Sequence, residues 1–259
     1  MGKHDVVRAR QVRLGRRLQV SQVCFGTEHI IKYTPEEGGR ILRDALRDHG
    51  VFFWDTAPIY GSHPQVRRGL ALVRREEAVV CSKTFAESAD EAREDVHAIL
   101  AELGTEYIDL CLLHKVEQLD SRREALSVLL QAREQGRVRS VGLSTHSAAV
   151  VLEASRTEEI EVVCATLNRT GHSIDEGSPT QMAEALAVAH RAGKGTYVIK
   201  TLGQGTLASD VEGALGWVMQ HHESIDAYNI GVASLEELRQ DIRCVNSFYD
   251  KLKGRTSGS

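Results

Sequence analysis

Four residues able to hold or move a proton stand at the ends of short apolar stretches: Asp55 after "FFW", Tyr60 in the loop that follows, Lys83 in "CSKT" and His114 in "LLH". A tyrosine phenol ordinarily titrates near 10, too high to exchange protons readily at neutral pH. A neighbouring ammonium favours the phenolate, and a carboxylate on the far side of the lysine keeps that lysine charged and in place. Such a tyrosine can act as general acid toward a carbonyl oxygen. A histidine beside it can orient the carbonyl and donate or relay a proton. Singly, each residue has an ordinary explanation: an Asp after a strand is commonly a turn or cap residue, and a lone Lys or His at a strand end a satisfied rim group. The chemistry requires elements that bring all four together.

Those elements are legible as eight short apolar runs, each followed by a segment of helical period: residues 20–25, 51–54, 78–81, 108–113, 138–143, 161–167, 196–199 and 227–231. Nearly continuous Val/Ile/Leu strands are buried on both faces, as in parallel sheets covered by helices. A hydroxyl with Glu three residues on marks helix starts at Thr34, Ser88, Ser121 and Ser234, since the pair satisfies two orphan donors reciprocally. Gly50, Gly104, Gly136 and Gly193 mark helix ends. Eight strands alternating with helices predict an α/β fold, a closed (β/α)8 TIM barrel. One domain spans residues 1–253, and 254–259 form a disordered tail. An open doubly wound sheet would need a GxGxxG turn after its first strand, whereas this chain has Phe25-Gly26-Thr27-Glu28-His29. In a barrel the active site lies at the C-terminal ends of the strands. Runs two, three and four are neighbours there, so Asp55, Tyr60, Lys83 and His114 converge.

Composition narrows the remaining classes. The 259 residues carry a formal net charge of −4 and are 42% hydrophobic, in the range of an ordinary globular domain. Arg8, Arg10, Arg13, Arg16 and Arg17 cluster early, but without interleaved aromatics they read as a solvated face, and no nucleic-acid partner is expected. No signal-peptide core or membrane-length apolar run is present, so no membrane partner is expected. Cys24, Cys81, Cys111, Cys164 and Cys244 lack the spacing of a metal site or disulfide framework. Four of the five sit inside apolar runs, which suits buried thiols in a reducing, cytoplasmic setting; no metal is expected.

"DTAPIYG", "SKT" and "LLH", in this order and spacing, resemble the aldo-keto reductase superfamily, as do "YIDLCLLH", "GRVRSVGLSTH", "IKTLGQG" and "NIGVASLEELRQDI" at matching places. The resemblance covers nearly the whole chain. It implies a (β/α)8 oxidoreductase that uses a nicotinamide cofactor to reduce an aldehyde or ketone to an alcohol. Tyr60 would be the proton donor, Lys83 and Asp55 would tune it, and His114 would position the carbonyl.

The resemblance also places a cofactor site at Gly26, Thr27, Asp55, Ser144, Thr145, Asn168, Ile199, Lys200, Leu202, Gly203, Gly205, Ser234, Glu237 and Asp241. Here the chain departs from the family's pattern. Ser144-Thr145 stands where a Ser-Asn pair is common, and Cys164 stands where a Gln is expected, with Asn168 offering an amide four residues on. Ile199 replaces a stacking aromatic. Gly231 and Glu237 fall where many NADP-dependent relatives carry the Lys and Arg that grip the 2′-phosphate, and Asp241 where an adenine-binding Asn is usual. NADP(H) is the family default and NAD(H) the alternative, with Lys200, Arg239 or Arg243 able to supply compensating charge. The glycine-rich turn 202–205 is placed to cradle phosphate with backbone N–H groups.

The partner expected is a small carbonyl or alcohol substrate; oligomeric state is not legible. Trp54, Glu28, His29, Phe85, Lys115 and the loop 168–179 are candidate walls of a shallow, open mouth, with His172 and Asp175 as solvated loop residues. Two other readings remain at this level. One is a cofactor-binding regulatory or scaffold barrel with negligible turnover; the other is a redox-neutral epimerase or dehydratase that recycles its bound cofactor.

Overall fold

A computed structural model describes residues 7–256 of the chain. It opens with an antiparallel hairpin, β1 (Gln11–Leu14) and β2 (Leu18–Ser21). Eight parallel strands follow: β3 (Val23–Gly26), β4 (Phe53–Asp55), β5 (Val79–Thr84), β6 (Ile108–Leu113), β7 (Val138–Thr145), β8 (Val162–Thr166), β9 (Gly195–Ile199) and β10 (Ala227–Gly231). They close into a barrel in chain order, with β10 pairing back onto β3. The helices joining them are α1 (Pro35–His49), α2 (His63–Leu70), α3 (Ala89–Leu103), α4 (Arg123–Glu134), α5 (Ala148–Arg156), α6 (Pro179–Arg191) and α7 (Val211–Met219), followed by α8 (Leu235–Thr256). The expected α/β (β/α)8 architecture is therefore observed. Of the expected tail, 254–256 belong to α8, and 257–259 lie outside the described residues.

Strand alternation sorts side chains into two cores. Phe53, Cys81, Leu110, Leu112, Cys164 and Tyr197 point into the barrel, and their neighbours in sequence pack outward under the helices. Trp54 is one of the outward set. It is fully buried, and its indole N–H donates to Val51 O at 3.1 Å, so it does not reach the mouth where the sequence placed it.

The first apolar run, 20–25, divides between two elements. Ser21 Oγ donates to Val23 O at 2.8 Å and accepts from the N–H groups of Phe52 (3.1 Å) and Phe53 (3.0 Å). This side chain ends the hairpin and starts the barrel. Leu14, Leu18 and Val20 of the hairpin pack with the inner core, so the hairpin closes the barrel floor. Both strands bury their apolar residues, and hydropathy alone runs through the break.

Capping boxes form at Thr34–Glu37 and Ser88–Glu91 as expected. At Ser234 the half box remains: Ser234 Oγ accepts from Glu237 N–H at 3.2 Å, while Glu237 Oε2 accepts from Ala233 N–H at 2.8 Å. The Ser121 cap does not form. A 3-10 turn over Asp120–Arg122 precedes α4, Ser121 Oγ donates to Gln118 O, and Glu124 turns away to the N–H of Ala89. Gly50, Gly104, Gly136 and Gly193 all adopt the left-handed conformation that ends a helix.

Candidate active site

β4 and β5 lie side by side with Asp55 opposite Cys81, and period-two alternation points Asp55 and Lys83 into the same barrel end. Lys83 Nζ donates to Asp55 Oδ1 at 2.5 Å and to Thr56 O at 2.9 Å. Both residues are almost completely buried, 1% exposed each. Burial works against the charged lysine, but Asp55, then Tyr60 and the thiols of Cys81 and Cys164, outweigh it and hold its pKa well above the ordinary value.

Tyr60 ends a 3-10 turn, Pro58–Tyr60, that Gly61 closes at φ +69°. Hydroxyls pin this turn: Thr27 Oγ1 donates to Asp55 O (2.9 Å), and Ser62 Oγ lies 2.7 Å from Thr27 Oγ1 and 2.8 Å from Thr56 Oγ1. The Lys83 ammonium lies 4.8 Å from the centre of the Tyr60 ring. The sequence argument expected this ammonium to depress the phenol pKa. In the structure burial is the larger influence, and the phenol is raised although Lys83 pulls it down. Tyr60 therefore keeps its proton across the neutral range.

His114 stacks on Phe85 with ring centroids 4.2 Å apart and meets Tyr60 edge-on at 5.9 Å. Burial, and then the positive charge of Lys83 with His146, Lys200 and Arg122, pushes its pKa down to about 3. The imidazole is neutral, and its buried Nδ1 has no hydrogen-bond partner among the described residues. The four predicted residues thus meet in one volume.

A residue the sequence reading missed supports them. Tyr197, fully buried on β9, donates its phenol hydrogen to Asp55 Oδ2 at 2.7 Å, and Cys81 Sγ lies 3.4 Å from the Tyr197 phenol oxygen. Asp55 is held from two sides. The usable signal was a tyrosine inside an apolar strand, since a buried phenol needs a partner.

A cleft of about 660 Å³ leads from Asp55 and Tyr60 along the rim, within the range of small-molecule sites. Gly26, Thr27, Ile199, Lys200, Leu202, Gly205, Glu237 and Asp241 line it as expected, with Glu28 and His29. Thr201 also lines it, and its Oγ1 is buried without a partner. A cleft of this volume, with an unsatisfied hydroxyl among its lining residues, has room and a polar anchor for a dinucleotide.

Other expected contacts are spent elsewhere. Ser144 Oγ accepts from Lys115 N–H (2.9 Å), and Thr145 Oγ1 donates to Val116 O (2.7 Å). The Asn168 amide group donates to His172 O and Lys200 O and accepts from Thr170 Oγ1 and His172 N–H. Cys164 is a buried thiol whose pKa burial pushes up to about 12. Ser234 serves the start of α8. In the turn 202–205 the N–H groups of Gly203 and Gly205 close onto Lys200 O and Leu202 O, so these two amides are used by the turn itself and do not form the expected cradle. Lys115 lines a separate cavity of about 400 Å³ with His146 and Asp175, and pairs with Asp175 at 3.5 Å. His172 Nε2 contacts Gln204 Oε1 at 3.1 Å. Among the described residues, no group of three or more His, Cys, Asp or Glu could hold a metal, and no helix is long and apolar enough to cross a membrane.

Comparison with known proteins agrees with the barrel fold. An aldo-keto reductase of Mycobacterium avium (strain 104) is 33% identical over 142 residues, 52% of this chain and 49% of that protein. The chain thus spans about half the length of the first curated relatives it matches. The methylglyoxal reductase DkgB of Salmonella typhi is 27% identical over 66% of this chain and 69% of its own. Among solved structures, one from Pseudomonas aeruginosa described as an aldo-keto reductase superposes with TM-score 0.76 at 25% identity, covering 93% of this chain and 96% of that one. The model of the Aldo/keto reductase family matches residues 22–246, a span that includes every strand of the barrel and Asp55, Tyr60, Lys83 and His114, and the chain belongs to that family.

Proposed function

We propose that this chain is an NAD(P)H-dependent oxidoreductase that reduces a small aldehyde or ketone to an alcohol, with Tyr60 as general acid. The observation that carries the reading is the buried Lys83–Asp55 pair beneath a protonated Tyr60, at the end of one long cleft. Thr27, Ile199, Thr201, Leu202, Glu237 and Asp241 would hold the dinucleotide. When bound, the nicotinamide supplies the hydride that the carbonyl carbon accepts.

The chain's own groups handle the proton and the geometry. His114, neutral, offers a ring N–H to the carbonyl oxygen and fixes its direction. The Tyr60 phenol gives its proton to that oxygen as negative charge develops there; an alkoxide is more basic than a phenolate, so the transfer is downhill even from a phenol of raised pKa. The Lys83 charge beside the ring stabilises the phenolate left behind, and Asp55, held by Tyr197, keeps that ammonium in place. The buried thiols suit a cytoplasmic setting.

The test is oxidation of NADH or NADPH by the purified chain with a panel of aldehydes and ketones, alongside Tyr60→Phe. The variant is expected to lose about a hundredfold to ten-thousandfold in kcat/KM, the usual share of a general acid. Full turnover by Tyr60→Phe on an accepted carbonyl would refute the assignment. The engagement of Ser144, Thr145 and Asn168 away from the cleft favours the scaffold reading over the recycling one, and that reading predicts nucleotide binding with no consumption on any carbonyl.

A further inference from the structure

Two strands away from Asp55, across β3 and β10, the cleft is walled by Ala233 and by the first turns of α8 through Glu237, Gln240 and Asp241. No Lys or Arg among the described residues lines that wall. Lys200, which lines the cleft, lies 3.3 Å from His146 Nε2, on the side toward β7. Arg239 is paired with Glu236 at 2.7 Å, and Arg243 lines a separate surface groove with Val7, Arg8 and Asn246. None of the three cations that could have compensated a phosphate stands there.

What does stand there is a carboxylate without a partner. Asp241 is only 5% exposed, lines the cleft, and makes no hydrogen bond to any described residue. Burial and the neighbouring Glu237 push its pKa up to about 7. Glu237 Oε2 accepts from Ala233 N–H at 2.8 Å, and its charge also faces the cleft. An extended dinucleotide with its nicotinamide beside Tyr60 would run along the cleft toward these residues.

We propose that this wall selects an adenosine ribose with free 2′- and 3′-hydroxyls, so that the chain takes NAD(H) in preference to NADP(H). The inference rests on the reductase reading of the same cleft. Two adjacent hydroxyls are donors and would supply Asp241 with the hydrogen bonds it lacks, as carboxylates do for ribose diols in other dinucleotide sites. A 2′-phosphate brings between one and two further negative charges against Glu237, which lines the same wall, and against the ionised fraction of Asp241. Like charges repel, and the repulsion grows as water is excluded.

The experiment is calorimetric titration of the full chain with NADH and with NADPH, checked by tryptophan fluorescence, at low and high ionic strength. NADH is expected to bind at least about tenfold more tightly at low salt, with the ratio shrinking as salt screens the repulsion. Asp241→Asn combined with Glu237→Gln is expected to bring the ratio toward parity, chiefly by tightening NADPH. Equal binding, or tighter NADPH, by the unaltered chain overturns the inference and leaves the reductase reading standing. Binding of neither overturns both. Because the unaltered chain already decides the question, a variant that fails to fold does not remove the test.

Discussion

Lys83 can be buried and charged because each of its neighbours answers a specific need: Asp55 supplies the countercharge, Thr56 O a second acceptor, and Tyr197 fills the other oxygen of Asp55. Removing one partner of such a set leaves desolvation unrepaid, which costs more than the hydrogen bond itself contributes. Tyr197→Phe keeps the ring, including its edge contact with Phe53 at 5.4 Å, and deletes only the donor to Asp55. We expect it to lower the unfolding free energy by about 1–3 kcal/mol, measured by urea denaturation. Unchanged stability would mean that Asp55 does not depend on this phenol. The four residues were legible as a group in the sequence because Asp55, Lys83 and His114 fall at or just after strand ends, Tyr60 falls in the loop after one of them, and the types belong together. Tyr197 was not, because its partner lies 142 positions away and only barrel closure brings them together.

At the level of elements, the hairpin and the strands divide the labour. β1 and β2 close the floor with Leu14, fully buried, Leu18 and Val20, leaving the opposite end of the barrel for chemistry. Leu14→Ala should cost about 2–5 kcal/mol by opening a cavity in a close-packed interior, while leaving nucleotide affinity unchanged because the floor does not touch the cleft. Urea denaturation and a binding titration on the same variant check both halves, and a loss of affinity would show that the floor and mouth are coupled. The alternation of strands and helices was legible as far as the eight runs. The hairpin was not, since its second strand merges with the first barrel strand in hydropathy. The break is made by hydrogen bonds from one serine, Ser21, a feature that composition does not reveal.

Across the whole molecule, burial of neutral histidines makes stability depend on pH. Burial, with Lys200 and other nearby charges, lowers His146 to about 4 and, with Lys83 foremost among the charges, His114 to about 3. Unfolded, each would take up a proton near pH 6.5. Below that pH the unfolded chain therefore binds more protons than the folded one. The stability involved is complete above pH 6.5 and is lost as pH falls toward the folded values, by about 1.4 kcal/mol per pH unit for each group. Asp241, raised to about 7, acts in the opposite direction. His146→Asn should flatten the fall in unfolding free energy between pH 6.5 and 4 by about that amount, and an unaltered slope would show that His146 is not the group responsible. By itself the sequence determined the barrel, the helix ends at four glycines and the four residues that meet at the barrel mouth, because strand periodicity, turn chemistry and residue type are written locally. The tertiary structure alone decided that burial outweighs Lys83 at Tyr60, that Ser144, Thr145 and Asn168 are spent within the fold, and that among the described residues neither Arg239 nor Arg243 joins Glu237 and Asp241 in lining the cleft. Those outcomes depend on which distant groups a closed barrel buries and pairs together.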